Sequence, residues 1–140
     1  GLMDCANLVE RLSKDFSDLR FRQGRKFAFR PPRTVVFEPL TGVDAEYKIY
    51  SMRLLHEVGH ALSGHRTYRQ DLERVKMECE AWRRARGLCE RYGVEYDEGV
   101  VEQELESYRE WLHQKSKCSQ CGLTRYQAEN GVYHCPFCEG

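Results

Sequence analysis

Two histidines four residues apart, with a glutamate directly after the first, leave this chain few ways to fold: His56-Glu57-Val58-Gly59-His60. On an α-helix, residues i and i+4 leave the same face one turn apart, so the two imidazoles converge on one point. At that spacing two neutral imidazole nitrogens can grip one zinc ion, each at roughly 2.0–2.1 Å. Glu57 leaves to one side of the pair, where its carboxylate reaches a water without capping the metal. In this HExxH pattern the glutamate is a general base. The helix carrying it has to be well buried. A further element has to face it, because a catalytic zinc takes three protein ligands and keeps one position open.

The rest of the chain supplies such a frame. At 140 residues it is one domain with room for a small appendage. Leu8, Val9, Leu12, Phe16 and Leu19 recur at helical spacing and predict an amphipathic helix from Asp4 to Asp18, with Gly24 as a breaker. Phe27 to Phe29 and Thr34 to Phe37 are short β-type runs around Pro31-Pro32, expected to form a small antiparallel sheet with an open edge. The central helix starts at Thr41-Gly42 or Asp44 and runs through Ile49, Met52, Leu55, Val58 and Leu62 to Gly64. A third helix spans about Tyr68 to Tyr92, with Leu72, Val75, Cys79, Trp82 and Cys89 as its main apolar stripe. A fourth covers Asp97 to Leu112, with Val101, Leu105, Tyr108, Trp111 and Leu112 facing inward.

Lys plus Arg and Asp plus Glu both number 22, and this zero net charge argues against a general nucleic-acid or membrane binder. The charge is uneven, however. Six basic and no acidic residues lie between Arg20 and Arg33, while Glu95 to Glu110 holds seven acids and one arginine. The first reads as a solvated basic arm and the second as a solvated helix face. No apolar run approaches the roughly 18–20 residues of a membrane span, and the start of the chain carries no apolar signal segment. Seven cysteines, four of them in two CxxC pairs, favour metal binding in a reducing cytoplasm over a disulfide scaffold. Cys5, Cys79 and Cys89 read as buried or half-buried thiols.

Those pairs, Cys118/Cys121 and Cys135/Cys138, are separated by 13 residues that include Asn130-Gly131, a hairpin signal. Four thiolates on two knuckles joined by a hairpin make a closed tetrahedral site, a zinc ribbon, although iron would accept the same ligands. So short a segment has too little core to fold without its metal, which is therefore structural.

Candidates for the third ligand at the histidine pair are His65, Glu73, Glu78, Glu80 and His113. Glu78 borders the apolar stripe of the third helix, beside Val75 and Trp82, and the small Ala81 and Ala85 let another helix approach that side. Glu80 is flanked by Lys76, Arg83 and Arg84, a solvated face, and is the second choice. His65 misses the register of the elongated HExxHxxGxxH motif by one, which places it near the site as a hydrogen-bonding group or on the surface.

HEVGHALSGH followed by Glu78-Cys79-Glu80-Ala81-Trp82-Arg83-Arg84-Ala85 resembles the ImmA/IrrE-like metallopeptidases of the gluzincin group, over roughly Val35 to Leu88. The resemblance implies a zincin-like fold with ExEAxxxA on the helix after HExxH, and Glu78 as the third zinc ligand. It also implies a cytoplasmic protein substrate such as a transcriptional regulator.

The expectation is an α+β, mainly helical zincin-like domain over residues 1–114 with a zinc ribbon over 115–140. Two Zn²⁺ are expected, a catalytic one on His56, His60 and Glu78 and a structural one on Cys118, Cys121, Cys135 and Cys138. Glu57 is the base that activates water against a peptide bond. His65, Tyr68, Tyr108 and His113 are candidate donors to the oxyanion. A peptide would add to the sheet edge near Val35 to Phe37. Alternatives are a non-catalytic module binding protein or nucleic acid through the ribbon and the basic arm, a hydrolase of non-peptide amides, or a SprT-like protease using His113 as third ligand.

Overall fold

The computed structural model describes residues 2–40 and 44–138; Thr41 and Gly42, and the side chain of Cys5, lie outside the described residues. Among the described residues, four helices and two small sheets succeed one another along the chain. They are α1 (Leu2–Asp15), β1 (Arg20–Gln23), β2 (Ala28–Arg30), β3 (Thr34–Phe37), α2 (Asp44–Leu62), α3 (Asp71–Tyr92), α4 (Glu98–Ser116), β4 (Tyr126–Gln127) and β5 (Tyr133–His134). No helix among the described residues is long and apolar enough to cross a membrane. The chain forms two compact units, residues 1–66 with 80–98 and residues 67–79 with 99–140, and α3 contributes to both.

In the first unit, α1 packs on α2 and α2 packs on β2 and β3. Leu8 and Leu12, one turn apart on α1, are fully buried, as are Met52, Leu54, Leu55 and Val58 on α2. The sheet has the order β1-β3-β2, with β1 parallel and β2 antiparallel to β3. It is therefore mixed, in place of the antiparallel sheet that the sequence predicts. The basic stretch supplies β1 and β2 as strands and is not a free arm. Arg20, Phe21, Arg22 and Gln23 alternate too weakly in polarity to announce a strand. Pairing with Thr34 to Phe37 makes them one. β3 lies in the middle, and its consecutive Val35 and Val36 are both buried, as happens when both faces of a strand are covered. Gly24 closes this layer. Its N–H donates to the Phe37 carbonyl at 2.9 Å, and a Cβ there would come within 2.5 Å of Val36 Cγ1.

The C-terminal part of α3 completes this core with Ala81, Trp82, Ala85, Leu88 and Cys89 at helical spacing, all buried. Burial pushes the Cys89 thiol up to about 11, so it is an inert packing group. Tyr92 ends the stripe and donates its hydroxyl proton to Asp15 at the end of α1.

In the second unit, Val101 is buried and Leu105, Tyr108, Trp111 and Leu112 are half-buried along one side of α4, the expected inner face. Leu72 departs from the expected stripe of α3, being about half exposed, while its neighbour Asp71 is buried. The reason lies in the ribbon. Tyr133 donates its hydroxyl proton to Asp71 Oδ2 at 2.8 Å, Lys115 Nζ lies 3.6 Å from the same oxygen, and Gln127 Oε1 accepts the Asp71 backbone N–H at 2.6 Å. The first turn of α3 is thus capped by a side chain from β4, which satisfies one of the N–H groups a helix start leaves unpaired.

Helices α2 and α3 meet at backbone distance. A Cβ on Gly59 would sit 2.4 Å from the Ala81 carbonyl oxygen, so neither helix can yield without moving as a whole. Gly→Ala within a helix ordinarily gains about 1 kcal/mol. Here the overlap reverses that sign, and Gly59→Ala is expected to cost about 1–3 kcal/mol. The urea midpoint should fall, and a rise would show that the helices are not in contact at this point.

Candidate metal centres

Helix α2 brings His56, Glu57 and His60 together near its C-terminal end. The ligand atoms of all three lie within 4.8 Å of one another. The two histidines are 6% and 7% exposed, with ring centroids 4.6 Å apart. Each ring is held by an aromatic neighbour. His56 stacks on Trp82 at 4.0 Å between centroids, and His60 lies parallel to Phe29 of β2 at 6.3 Å. Two imidazoles and a carboxylate converging in a partly dry setting are the donor chemistry that zinc accepts.

His65 stands beside this pair, one of the two positions its register allowed, and the helix end explains why. α2 stops in a Schellman motif: the His65 N–H donates to the His60 carbonyl at 3.2 Å, the Gly64 N–H to Ala61 at 3.1 Å, and Gly64 has φ +68°. In this motif the residue after the left-handed glycine returns to pack on the residue five positions back. Here both of those residues are histidines. Nδ1 of His60 and Nδ1 of His65 lie 2.9 Å apart, and His65 Nε2 lies 2.7 Å from Glu80 Oε2. His65 is buried, and its hydrogen bond holds the Glu80 carboxyl below the ordinary carboxylate range. The signal in the sequence is Gly64 four residues after His60, a helix stop that sets the direction of residue 65.

Glu80, the second choice for third ligand, directs its carboxylate at His65. Glu78 is half-buried on the part of α3 that belongs to the second unit, where its charge, after burial, helps to push the Tyr108 phenol up. Glu73 is exposed. Tyr68 and Tyr108 both lie against the Arg74 guanidinium, at 5.9 and 5.3 Å from the ring centroids, and Trp111 joins them at 4.8 Å. His113 is exposed in the last turn of α4.

The four cysteines of the tail form a second cluster, with all four sulfurs within 4.8 Å of one another. Cys118 Sγ is 3.9 Å from Cys138 Sγ, and Cys121 Sγ is 3.6 Å from Cys135 Sγ. A tetrahedron with Zn–S of about 2.3 Å has edges of about 3.8 Å, so the cluster already has the size of the site. The first knuckle is built by the Gly122 N–H donating to the Cys118 carbonyl at 2.9 Å, with Gly122 at φ +76°. N–H groups of Cys121 and Gln120 draw the Cys118 thiol down to about 6, whereas its sulfur neighbours Cys121 and Cys135 push Cys138 up to about 12. Four thiols this close cannot all ionise without a cation among them.

β4 and β5 form the joining hairpin, but not with a two-residue turn. The Ala128 N–H pairs with the Val132 carbonyl and the Gly131 N–H with the Ala128 carbonyl, leaving the three-residue loop Glu129, Asn130, Gly131. A two-residue type I′ turn would need positive φ at both Asn130 and Gly131, and among the described residues only glycines have it. The four-cysteine cluster fits a zinc ribbon. Cys118→Ser or Cys138→Ser should lower metal content by about one ion per chain, and Co²⁺ loading of the unmodified chain should give strong thiolate charge-transfer absorption. Equal metal content in variant and parent would rule the ribbon site out.

No family model, curated protein or solved structure matches the chain.

Proposed function

We propose that the chain is a zinc-dependent metallopeptidase in which α2 carries the catalytic metal and the ribbon carries a structural one. The observation that supports this most directly is the convergence of His56, Glu57 and His60 to within 4.8 Å on α2, with the two histidines buried and Glu57 half-buried beside them. Zinc bound there would polarise a scissile carbonyl and acidify a water molecule. His56 and His60 would hold it, with Glu78 as the third donor that the ExEAxxxA resemblance assigns. Glu80 suits that role less, its carboxylate being engaged by His65 at 2.7 Å.

The chain's own residues divide the remaining work. Glu57 takes the proton from the attacking water and hands it to the leaving amine nitrogen. Trp82 and Phe29 keep the two imidazole planes in place, so that little reorganisation accompanies the reaction. For the substrate, the docking strand differs from the expected one. Val35 to Phe37 are central in the sheet and paired on both sides. The open edges are β1 and β2, and β2 carries Phe29, the ring beside His60. An extended peptide adding to the outer edge of β2 would run past the histidine pair, with main-chain hydrogen bonds providing affinity regardless of sequence. A cytoplasmic regulatory protein is the substrate class that the resemblance favours.

A second reading, a ribbon that binds a partner protein, draws on Leu123, Tyr126, Val132 and Phe137, which are 49–64% exposed on the tail. It is compatible with the first, since a docking module on a protease recruits its substrate.

Two zinc ions per chain are expected in the parent, one in His56→Ala and one in Glu78→Ala, measured by elemental analysis of protein purified without chelators. Glu57→Gln should retain both ions and lose at least about 100-fold in cleavage of an unfolded protein substrate, a loss in the range of general-base removal. A parent chain holding only the ribbon's ion, or a Glu57→Gln variant that cleaves as well as the parent, would reject the proposal.

A further inference from the structure

We infer that Glu80 and His65 form a hydrogen-bonded relay that fixes the tautomer of His60, making both positioning residues for the metal site; this rests on the metallopeptidase reading. Counting protons along the three groups leads there. His60 turns Nδ1 toward His65 at 2.9 Å, which leaves Nε2 as its only nitrogen able to face a metal. A metal-binding Nε2 must offer a lone pair, so the ring proton of a neutral His60 sits on Nδ1 and is donated to His65. His65 Nδ1 must then be the acceptor, and its own proton sits on Nε2. That N–H points at the Glu80 carboxylate 2.7 Å away, a group that, once ionised, can only accept. Each hydrogen bond thus contains one proton, and no other arrangement of neutral rings presents His60 Nε2 as a ligand. The other ring nitrogen of a metal-bound histidine is usually oriented by a carboxylate, carbonyl or water. Here an imidazole is interposed, and the carboxylate orients it from the second position.

The local sequence makes the relay rigid. Gly64 in the left-handed conformation and the His65-to-His60 backbone hydrogen bond hold the two rings together from the main chain. Glu80 is placed by the same helix turn that puts the Ala81 carbonyl against Gly59. The burial of the two rings contrasts with Glu80, whose side chain is about half exposed, so the anchor can be altered without disturbing the core.

The test uses the full chain with zinc in the ribbon and none at the histidine pair. Long-range ¹H–¹⁵N correlation of the imidazoles should show His60 protonated at Nδ1 and His65 protonated at Nε2. Glu80→Leu should let His60 exchange to the Nε2-protonated form and weaken Co²⁺ binding at the histidine pair by about tenfold or more, measured by competition with a chromophoric chelator. Glu80→Gln, whose amide oxygen can still accept from His65, should keep the tautomer and restore most of the affinity. His65→Phe should lose both. A parent His60 protonated at Nε2, or a Glu80→Leu chain with unchanged tautomer and affinity, would overturn the inference. A parent with the inferred tautomers that binds no metal at this pair upholds the relay and removes the metallopeptidase reading, so the two failures are distinct.

Discussion

The contact between Gly59 and the Ala81 carbonyl is the constraint on which the first unit depends. Two helices can approach to backbone distance only where one of them has no side chain, and here that residue lies inside the histidine motif. The closeness places Trp82, the next residue of α3, against His56 and puts Glu80, the preceding one, within reach of His65. A bulkier residue at position 59 would move α3 away and loosen both contacts together. Helix packing and site geometry are thus a single feature of the fold.

The ribbon obeys a different physical logic. It has little apolar material of its own, and Leu123, Tyr126, Val132 and Phe137 remain largely exposed. Its order comes from glycine-dependent turns at Gly122 and Gly131, from four sulfurs at the spacing of a tetrahedral site, and from polar bonds to the first turn of α3. Gln127 illustrates this: its side chain accepts from Asp71 and donates to the Gly131 carbonyl, tying hairpin and helix together. Such a segment relies on bonds with defined geometry, since it cannot rely on buried area.

Much of the helical frame is legible in the residues. The helices are marked by apolar spacing, and the stop read at Gly64 adopts positive φ. The cysteine pairs announce a metal cluster through spacing alone. Less legible is the sheet: β1 is short, charged and without a strong strand pattern, and its pairing with β3 makes a central strand of residues whose proline flanks suggest an edge. Strand order is a non-local property, and no local pattern encodes which of two short runs has a neighbour on each side.

What the sequence by itself determined is chemistry attached to local geometry: two imidazoles on one helix face with a carboxylate to one side, four thiols on two knuckles, and a helix stop at Gly64 with His65 directly after it. These depend on backbone periodicity and on φ, which neighbouring residues control. What only the tertiary structure decided is which partner each group meets. Glu80 sits on a face that reads as solvated, yet it meets His65, which lies just past the end of α2, and Trp82, one of several apolar residues on a stripe, lies over His56. Those meetings arise from the approach of α2 to α3, a distance set by the packing of residues far apart in the chain and invisible to any pattern within either helix.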